Sequence, residues 1–498
     1  MSAWALATPI FASPDEPAHA IHAIGVAHGE WLGQKFRPGH GPPDPLPAQT
    51  PQPSRAGLAV EVPGVYRHWV GIGCLAFKPD APASCLRFDA ARADQPALTY
   101  TARYVPAYYL AVGSVSLITA GSAHQIYLMR LISAMLSAAL IASAALTLLE
   151  SAPGPWALTG LAVAVTPMTL FLAASINPNG LEIAAAIGVW VHGATIATGH
   201  ISRGGDRVLT RLGIASIALA LSRPTSLLWL GVIGVLLMFC AGRRTIIDLL
   251  HQRAAQLWTA ALSVAIVLAF GWSVWAGAFN VSQTFVGSPV NPTTAQFART
   301  TIGQGYELVR QMVGVFGWLD TPAPALTLLV WLFAVGALVG VAILVARPFL
   351  RTLGATVVLV VIVPVLIQGS YVHSLGFQWQ GRYSLPLAVG VPILAGLGIE
   401  HARHHLPGDW RLALTIVTGL ALAQFLGFAQ ALRRYTVGAN GTIWFPWSSH
   451  WHPPVPTIVL LAGFAGLLCA ASLLMLRVGG GPGARGATRP TPGSPPSV

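Results

Sequence analysis

Charge is what this sequence has least of. Only 9% of its 498 residues are charged, 16 are acidic, and 54% are hydrophobic. A soluble domain carries roughly 25% charged residues, so these proportions exclude an ordinary soluble globule. The mean hydropathy of +0.64 agrees. Local catalytic signatures are missing too. No HExxH, Walker, CxxC or GxSxG pattern occurs, which leaves zinc, ATPase and serine-hydrolase readings without support. The formal net charge is +12, yet no basic amphipathic tract or nucleic-acid motif accompanies it, so no nucleic-acid partner is expected. No basic stretch precedes the first apolar residues, so no cleavable signal peptide is expected.

What the chain does have is apolar segments separated by arginines. They fall near residues 126–149, 156–175, 180–199, 208–222, 224–241, 256–278, 324–346, 352–370, 383–400, 410–431 and 455–476. Ala3–Phe11 is apolar but too short to cross a bilayer, since a span needs about 20 residues. It is expected to be an incomplete first helix, either truncated or beginning upstream. With it, the chain reads as an all-α polytopic protein of about twelve transmembrane helices. The expected units are the partial helix 1–12, a loop 13–125, bundles 126–278 and 324–477 around a second loop 279–323, and a disordered tail 478–498. Within the first loop, Pro38–Pro53 should be extended, and Ala18–Leu32 reads as an amphipathic surface helix.

Orientation follows from the basic connections. Loops carrying Arg203, Arg207 and Arg211, then Arg243, Arg244 and Arg253, then Arg347 and Arg351, then Arg403 and Arg411 should be cytoplasmic. Alternation then places residues 13–103 outside only if Tyr104–Thr119 does not span, which makes that segment interfacial or re-entrant. The expected location is a plasma membrane crossed many times, with the unusual polar residues on its outer face.

Those residues begin with Ser13-Pro14-Asp15-Glu16-Pro17-Ala18-His19, an acidic pair between two prolines. The pair either caps the helix that follows or does chemistry. Asn177, Asn179 and Glu182 stand in an NPNGLE turn, where Glu182 could equally cap its helix. Arg223 precedes Pro224, and HSLGFQWQGRY brings His373, Gln378, Gln380, Arg382 and Tyr383. Either arginine could serve only to pair with a carboxylate or to snorkel. Trp447 lies in a tryptophan-rich loop that suits an interfacial anchor or a sugar-stacking platform. His401, His404 and His405 read as a solvated cytoplasmic loop rather than a metal site. Cys240 and Cys469 fall in apolar segments and read as inert, whereas Cys74 and Cys85 share the first loop and are candidates for a structural disulfide. Two arginines and several carboxylates on one face suit an anionic ligand beside an acid or base.

At this point the residues resemble a known group. WALATPIFASPDEPAHA (4–20), YVPAYYLAVGS (104–114), MRLISAMLSAAL (129–140), TPMTLFLAASINPNGLEIAAA (166–186), VGVFGWLDTPAP (313–324) and WQGRYSLPLAVG (379–390) carry the likeness. They resemble the GT-C superfamily of membrane glycosyltransferases, and more narrowly an actinobacterial family known only as predicted membrane proteins. That resemblance implies a base on the first outer loop and interfacial helices after it. It also implies a sugar donor on a polyprenyl phosphate and transfer on the extracytoplasmic side with inversion. Asn179 stands where an Asp would be expected.

On this reading the chain is an enzyme that moves a sugar to the hydroxyl of an extracytoplasmic glycan, lipid or protein. Asp15 is its base, oriented by Glu16 or His19, and Arg382 and then Arg223 hold the donor phosphate. Asn177, Asn179, Glu182, His373, Gln378, Gln380, Tyr383 and Trp447 are expected to line the substrates. No metal or other cofactor is expected, and membrane lipids surround the bundle. The alternative from another class is a transporter or flippase of lipid-linked glycans.

Overall fold

A computed structural model describes residues 1–35, 58–63, 73–86, 95–119, 121–152, 154–198, 205–280, 290–402 and 410–480. Expectations for Pro38–Pro53, Arg203, Arg403, His404 and His405, and the tail from residue 481, fall outside these residues. The last helix runs to Gly480, so the first residues expected in that tail are helical instead.

The chain opens with two short helices, α1 (Ser2–Ala7) and α2 (Glu16–Ala27), followed later by α3 (Pro106–Gly113). Then come α4 (Ala123–Ser151), α5 (Pro155–Ala164), α6 (Pro167–Ala173) and α7 (Pro178–Ala197). Next are α8 (Gly205–Ala220), α9 (Ser226–Cys240), α10 (Arg243–His251), α11 (Arg253–Trp275) and α12 (Thr294–Gly314). The series ends with α13 (Ala325–Val345), α14 (Leu350–Leu375), α15 (Gly381–Ala388), α16 (Gly390–Ala402), α17 (Trp410–Val437) and α18 (Thr457–Gly480).

Among the described residues, eight helices are long and apolar enough to cross a membrane, or ten if two bent pairs each count as a span. The expected twelve are not reached on this count, and local chemistry explains why. Pro167 opens α6 after a 62° bend from α5, because proline cannot continue the hydrogen-bond ladder. Helix α8 has 16 residues, about 24 Å at 1.5 Å per residue, which falls short of a hydrocarbon core of about 30 Å. Helix α3 has eight residues and continues only as a 3-10 turn to Leu117, so Tyr104–Thr119 is too short to span.

Two expectations need correction. Helix α2 is not an amphipathic surface helix: every residue from Glu16 to Val26 is buried. Nor is the protein purely helical. Strands β1 (Gln34–Lys35), β2 (Leu58–Val62) and β3 (Gln95–Thr99) form an antiparallel sheet, with Leu58 opposite Thr99 and Val62 opposite Gln95. Leu58, Val60 and Val62 alternate inward, the period of a half-buried strand. The sheet covers α2, and Gly25 is required there because a side chain would collide with Val60. Gly113 lets α3 approach α2 on another side, where a side chain would meet the Ala23 carbonyl.

Two ends of the bundle can be told apart by their contacts. At one, Glu150 pairs with Arg211, Glu400 accepts from the Trp156 amide, and Phe349 lies 6.2 Å from His401. At the other, α1 and α2 dock onto α4 and α7 through a single buried arginine. Arg130 of α4 donates from Nε and Nη2 to the two carboxylate oxygens of Glu16, at 2.7 and 2.6 Å. Its Nη1 reaches the carbonyls of Ala5 and Thr8, and Nη2 that of Pro9. All five donors of the guanidinium are thereby used. Glu16 also accepts from the Ile176 backbone amide, while the Asn177 side-chain Nδ2 donates to the Pro14 carbonyl, tying α2 to the NPNG turn. At this same end, Cys74 and Cys85 are disulfide-bonded, and Arg434 of α17 grips the loop between them through the carbonyls of Leu75, Lys78 and Ala81.

Breaking the Glu16–Arg130 pair leaves a charge buried without its counterion. Arg130→Met is therefore expected to cost about 3–5 kcal/mol, read as a lowered thermal midpoint of the purified protein in detergent. The double variant Glu16→Leu with Arg130→Met should not recover, since three carbonyls still lack their donors. Full recovery would show those carbonyl bonds to be dispensable.

Candidate functional site

Asp15 sits at the joint between the two short helices. Its backbone is left-handed, with φ of 62°, a conformation aspartate tolerates better than most residues. The main-chain carbonyl of Asp15 accepts from the His19 amide and so starts α2. Its side chain makes no capping bond. Instead the Tyr100 hydroxyl donates to one carboxylate oxygen at 2.6 Å, and Nη2 of Arg382 donates to the other at 2.5 Å. The carboxylate keeps 28% of its surface exposed, whereas the Arg382 side chain keeps 2%.

Arg382 follows the glycine that begins α15. Gly381 donates its amide to the Gln311 side chain, which fixes the start of that helix against α12. Nη2 of Arg382 also donates to the Tyr383 hydroxyl at 3.2 Å. Its Nε and Nη1 are buried and have no hydrogen-bond partner within the protein. A buried donor left unmade costs free energy, so two such donors on one guanidinium are the feature of this site that asks for a ligand.

Arg223 stands beside it. The guanidinium carbons of Arg223 and Arg382 each lie 5.1 Å from the centroid of the Tyr383 ring, and the Tyr104 ring lies 5.8 Å from that of Arg223. Aromatic faces attract such cations. Nη1 of Arg223 donates to Glu182 at 3.1 Å, and Glu182 also accepts from Asn179 and Ser226. Burial works against the charge of Arg223, but Glu182, Tyr104 and Tyr383 outweigh it and raise its pKa. Asp15 shows the opposite balance. Burial favours its neutral form, yet Arg382, His19 and the Tyr100 hydrogen bond together hold its carboxyl below the usual value. The site therefore presents one partly exposed carboxylate, Asp15, and two guanidinium cations around a tyrosine ring, the second of them paired with the buried Glu182.

Asp15, Arg223, Arg382 and Tyr383 thus come together. The others divide. Glu16 turns away from Asp15 to Arg130, and His19 uses Nδ1 on the Tyr109 hydroxyl at 2.8 Å, so the orienting bond expected from one of them comes from Tyr100. Asn177 caps α7 by accepting from the Asn179 amide, and Asn179 and Glu182 serve Arg223. These three are occupied by protein groups. His373 bonds to Asn291, Gln378 to the Leu375 carbonyl, and Trp447 is 71% exposed beside Trp444. None of these contacts links them to Asp15. Gln380 precedes the glycine of α15, with its buried side-chain oxygen unpartnered. Among the described residues, no three His, Cys, Asp or Glu side chains gather as a metal-ligand set.

Sequence reasoning passes over Tyr100, Tyr104 and Arg130. Arg130 is an ionisable residue inside an apolar run, which by itself calls for a partner. Tyr100 carries no such signal, because it follows a strand hidden in a polar loop.

A family model described as "Predicted membrane protein (DUF2142)" matches residues 1–391. The chain belongs to that family. The match takes in Asp15, Arg223, Arg382 and Tyr383, so the whole cluster lies in the part shared with these predicted membrane proteins. Neither a curated protein nor a solved structure matches the chain.

Two buried histidines next to the site make it sensitive to acid. Burial lowers the pKa of His19 to about 3, against the pull of Asp15 and with help from Arg223, Arg382 and His22. Burial does the same to His22, also to about 3, outweighing the opposing effect of the Trp31 backbone. Unfolded, each would take a proton at its ordinary value of 6.5. The unfolded state therefore binds more protons between those values, and stability falls as pH drops through that window. A slope approaching about 1.4 kcal/mol per pH unit per histidine is expected. Thermal midpoints measured from pH 7 to pH 4 should show it, and His22→Gln should flatten it.

Proposed function

We propose that this protein is a membrane glycosyltransferase of GT-C type that takes its sugar from a polyprenyl-phosphate donor. The observation that carries the reading is Arg382, a buried guanidinium with two unpartnered nitrogens, held against a partly exposed carboxylate. A phosphate would satisfy those nitrogens, and arginine suits phosphate because its planar fork matches two oxygens. Arg223, on the same tyrosine ring, adds a second positive charge.

The transfer needs little else. The acceptor hydroxyl donates its proton to Asp15 as its oxygen bonds to the anomeric carbon. The bond from that carbon to the phosphate oxygen breaks, and its electron pair leaves with the polyprenyl phosphate. Arg382 and Arg223 would stabilise the charge that develops there, the kind of fixed electrostatic aid that carries much of enzymatic catalysis. In this reading the two guanidinium groups do what a divalent cation otherwise would, so the transfer is metal-independent.

The topology that goes with it has about twelve spans, two more than the ten counted above. The arginine-rich turns face the cytoplasm of a plasma membrane, and Asp15 faces out. The acceptor is then an extracytoplasmic glycan, lipid or protein.

Replacing Asp15 with Asn is the test. Transfer of radiolabelled sugar from polyprenyl phosphate in membranes containing the protein should fall roughly a hundred- to ten-thousand-fold, the usual worth of a general base. Donor binding should survive. A flippase using the same cations would move its lipid almost normally as the Asp15→Asn variant, and that result would replace the transferase reading with transport.

A further inference from the structure

The hydrogen-bond bookkeeping at Arg382 says more than that an anion fits. In a guanidinium, Nε and Nη2 form one two-pronged edge, and Nη1 and Nη2 form the other. Nη2 belongs to both. Here its two hydrogens go to Asp15 and to the Tyr383 hydroxyl, while Nε and Nη1 are unpartnered. Each edge is therefore half free and half taken. An oxyanion that binds either edge with two oxygens must displace one of the two residents of Nη2.

We infer that Asp15 and the ligand's phosphate compete for Nη2 of Arg382, so that binding the phosphate is what releases Asp15 to accept a proton. The inference rests on the transferase reading and adds an order of events to it. With the site empty, Arg382 is partly neutralised by Asp15, and the carboxylate is a poor base. When a phosphate takes that prong, Asp15 loses its counterion and gains a negative neighbour. Both changes favour its protonated form. The base becomes effective only once a donor is present.

The remaining groups around Asp15 support this direction. Tyr100 holds the second carboxylate oxygen from the residue after β3, so Asp15 stays placed when Arg382 lets go. His19 of α2 is committed to Tyr109. Arg223 is paired with Glu182 and lies near the Tyr383 ring, and Tyr104, from the residues before α3, lies near it as well. Glu16 faces Arg130 and does not share the site. Among these neighbours, Arg382 is the cation bonded directly to Asp15.

The test is calorimetry on the purified full chain in detergent, with methyl geranyl phosphate as probe. This phosphodiester carries one non-titrating negative charge and no transferable sugar. Titrations at about pH 5 in two buffers of different ionisation enthalpy report proton uptake on binding. The protein should take up part of a proton. Asp15→Asn should bind roughly tenfold tighter, because a like-charge neighbour has gone, and should take up none. Arg382→Gln should bind weakly or not at all. Tyr100→Phe keeps Asp15 but frees its other oxygen, so uptake should extend to higher pH.

Equal affinity for the protein and Asp15→Asn, with no proton taken up by either, overturns the competition and leaves the transferase reading standing. If Asp15→Asn does not fold, an unmoved uptake profile in Tyr100→Phe overturns it instead. Absence of probe binding in every variant removes both this inference and the phosphate role of Arg382.

Discussion

A carboxylate taken fully out of water needs a counterion, and the Glu16–Arg130 contact is where this fold meets that requirement. It joins helices α1, α2, α4 and α7 at one point, and it fixes the backbone turn on which Asp15 sits. Glu16 and Asp15 are adjacent, yet their side chains serve different helices. A left-handed residue between Pro14 and Glu16 makes this divergence possible, because it reverses the direction of successive side chains. The acidic pair is thus two separate devices, one that locks the fold and one that meets Arg382 and Tyr100.

Three buried arginines show how the same side chain acquires different uses. Arg130 has all five donors filled by Glu16 and three carbonyls. Arg434 uses its two terminal nitrogens on three loop carbonyls and Asp320, and so fastens the disulfide loop. Arg382 has two nitrogens with no partner. Burial alone would not distinguish them. The number of unpartnered nitrogens does: none on Arg130, Nε alone on Arg434, and both Nε and Nη1 on Arg382.

Much of this was legible in the residues, and what was not has physical causes. The apolar runs announce a membrane protein, and the scarcity of charge makes Asp15, Arg223 and Arg382 stand out in the sequence itself. Pairing is harder to read. Asn177, Asn179 and Glu182 have the chemistry of a substrate site, and only the fold reveals that they are consumed in capping α7 and holding Arg223. The sheet escapes notice because Leu58–Val62 is a five-residue alternation inside a polar loop and pairs with a strand more than thirty residues away. Helix α2 misleads for a related reason: its small and polar residues suit a surface until a sheet covers it.

Thr99 and Thr101 both donate to the carbonyl of Ala18, and Tyr100 lies between them. The residue that orients Asp15 is therefore riveted to the helix that begins with Asp15. Arg382, in contrast, arrives on α15, from the far half of the chain. Any sliding of α15 relative to α2 changes the Asp15–Arg382 separation and leaves the Asp15–Tyr100 separation as it is. The carboxylate of Asp15 thus has one partner tied to its own helix and one carried by a distant part of the chain.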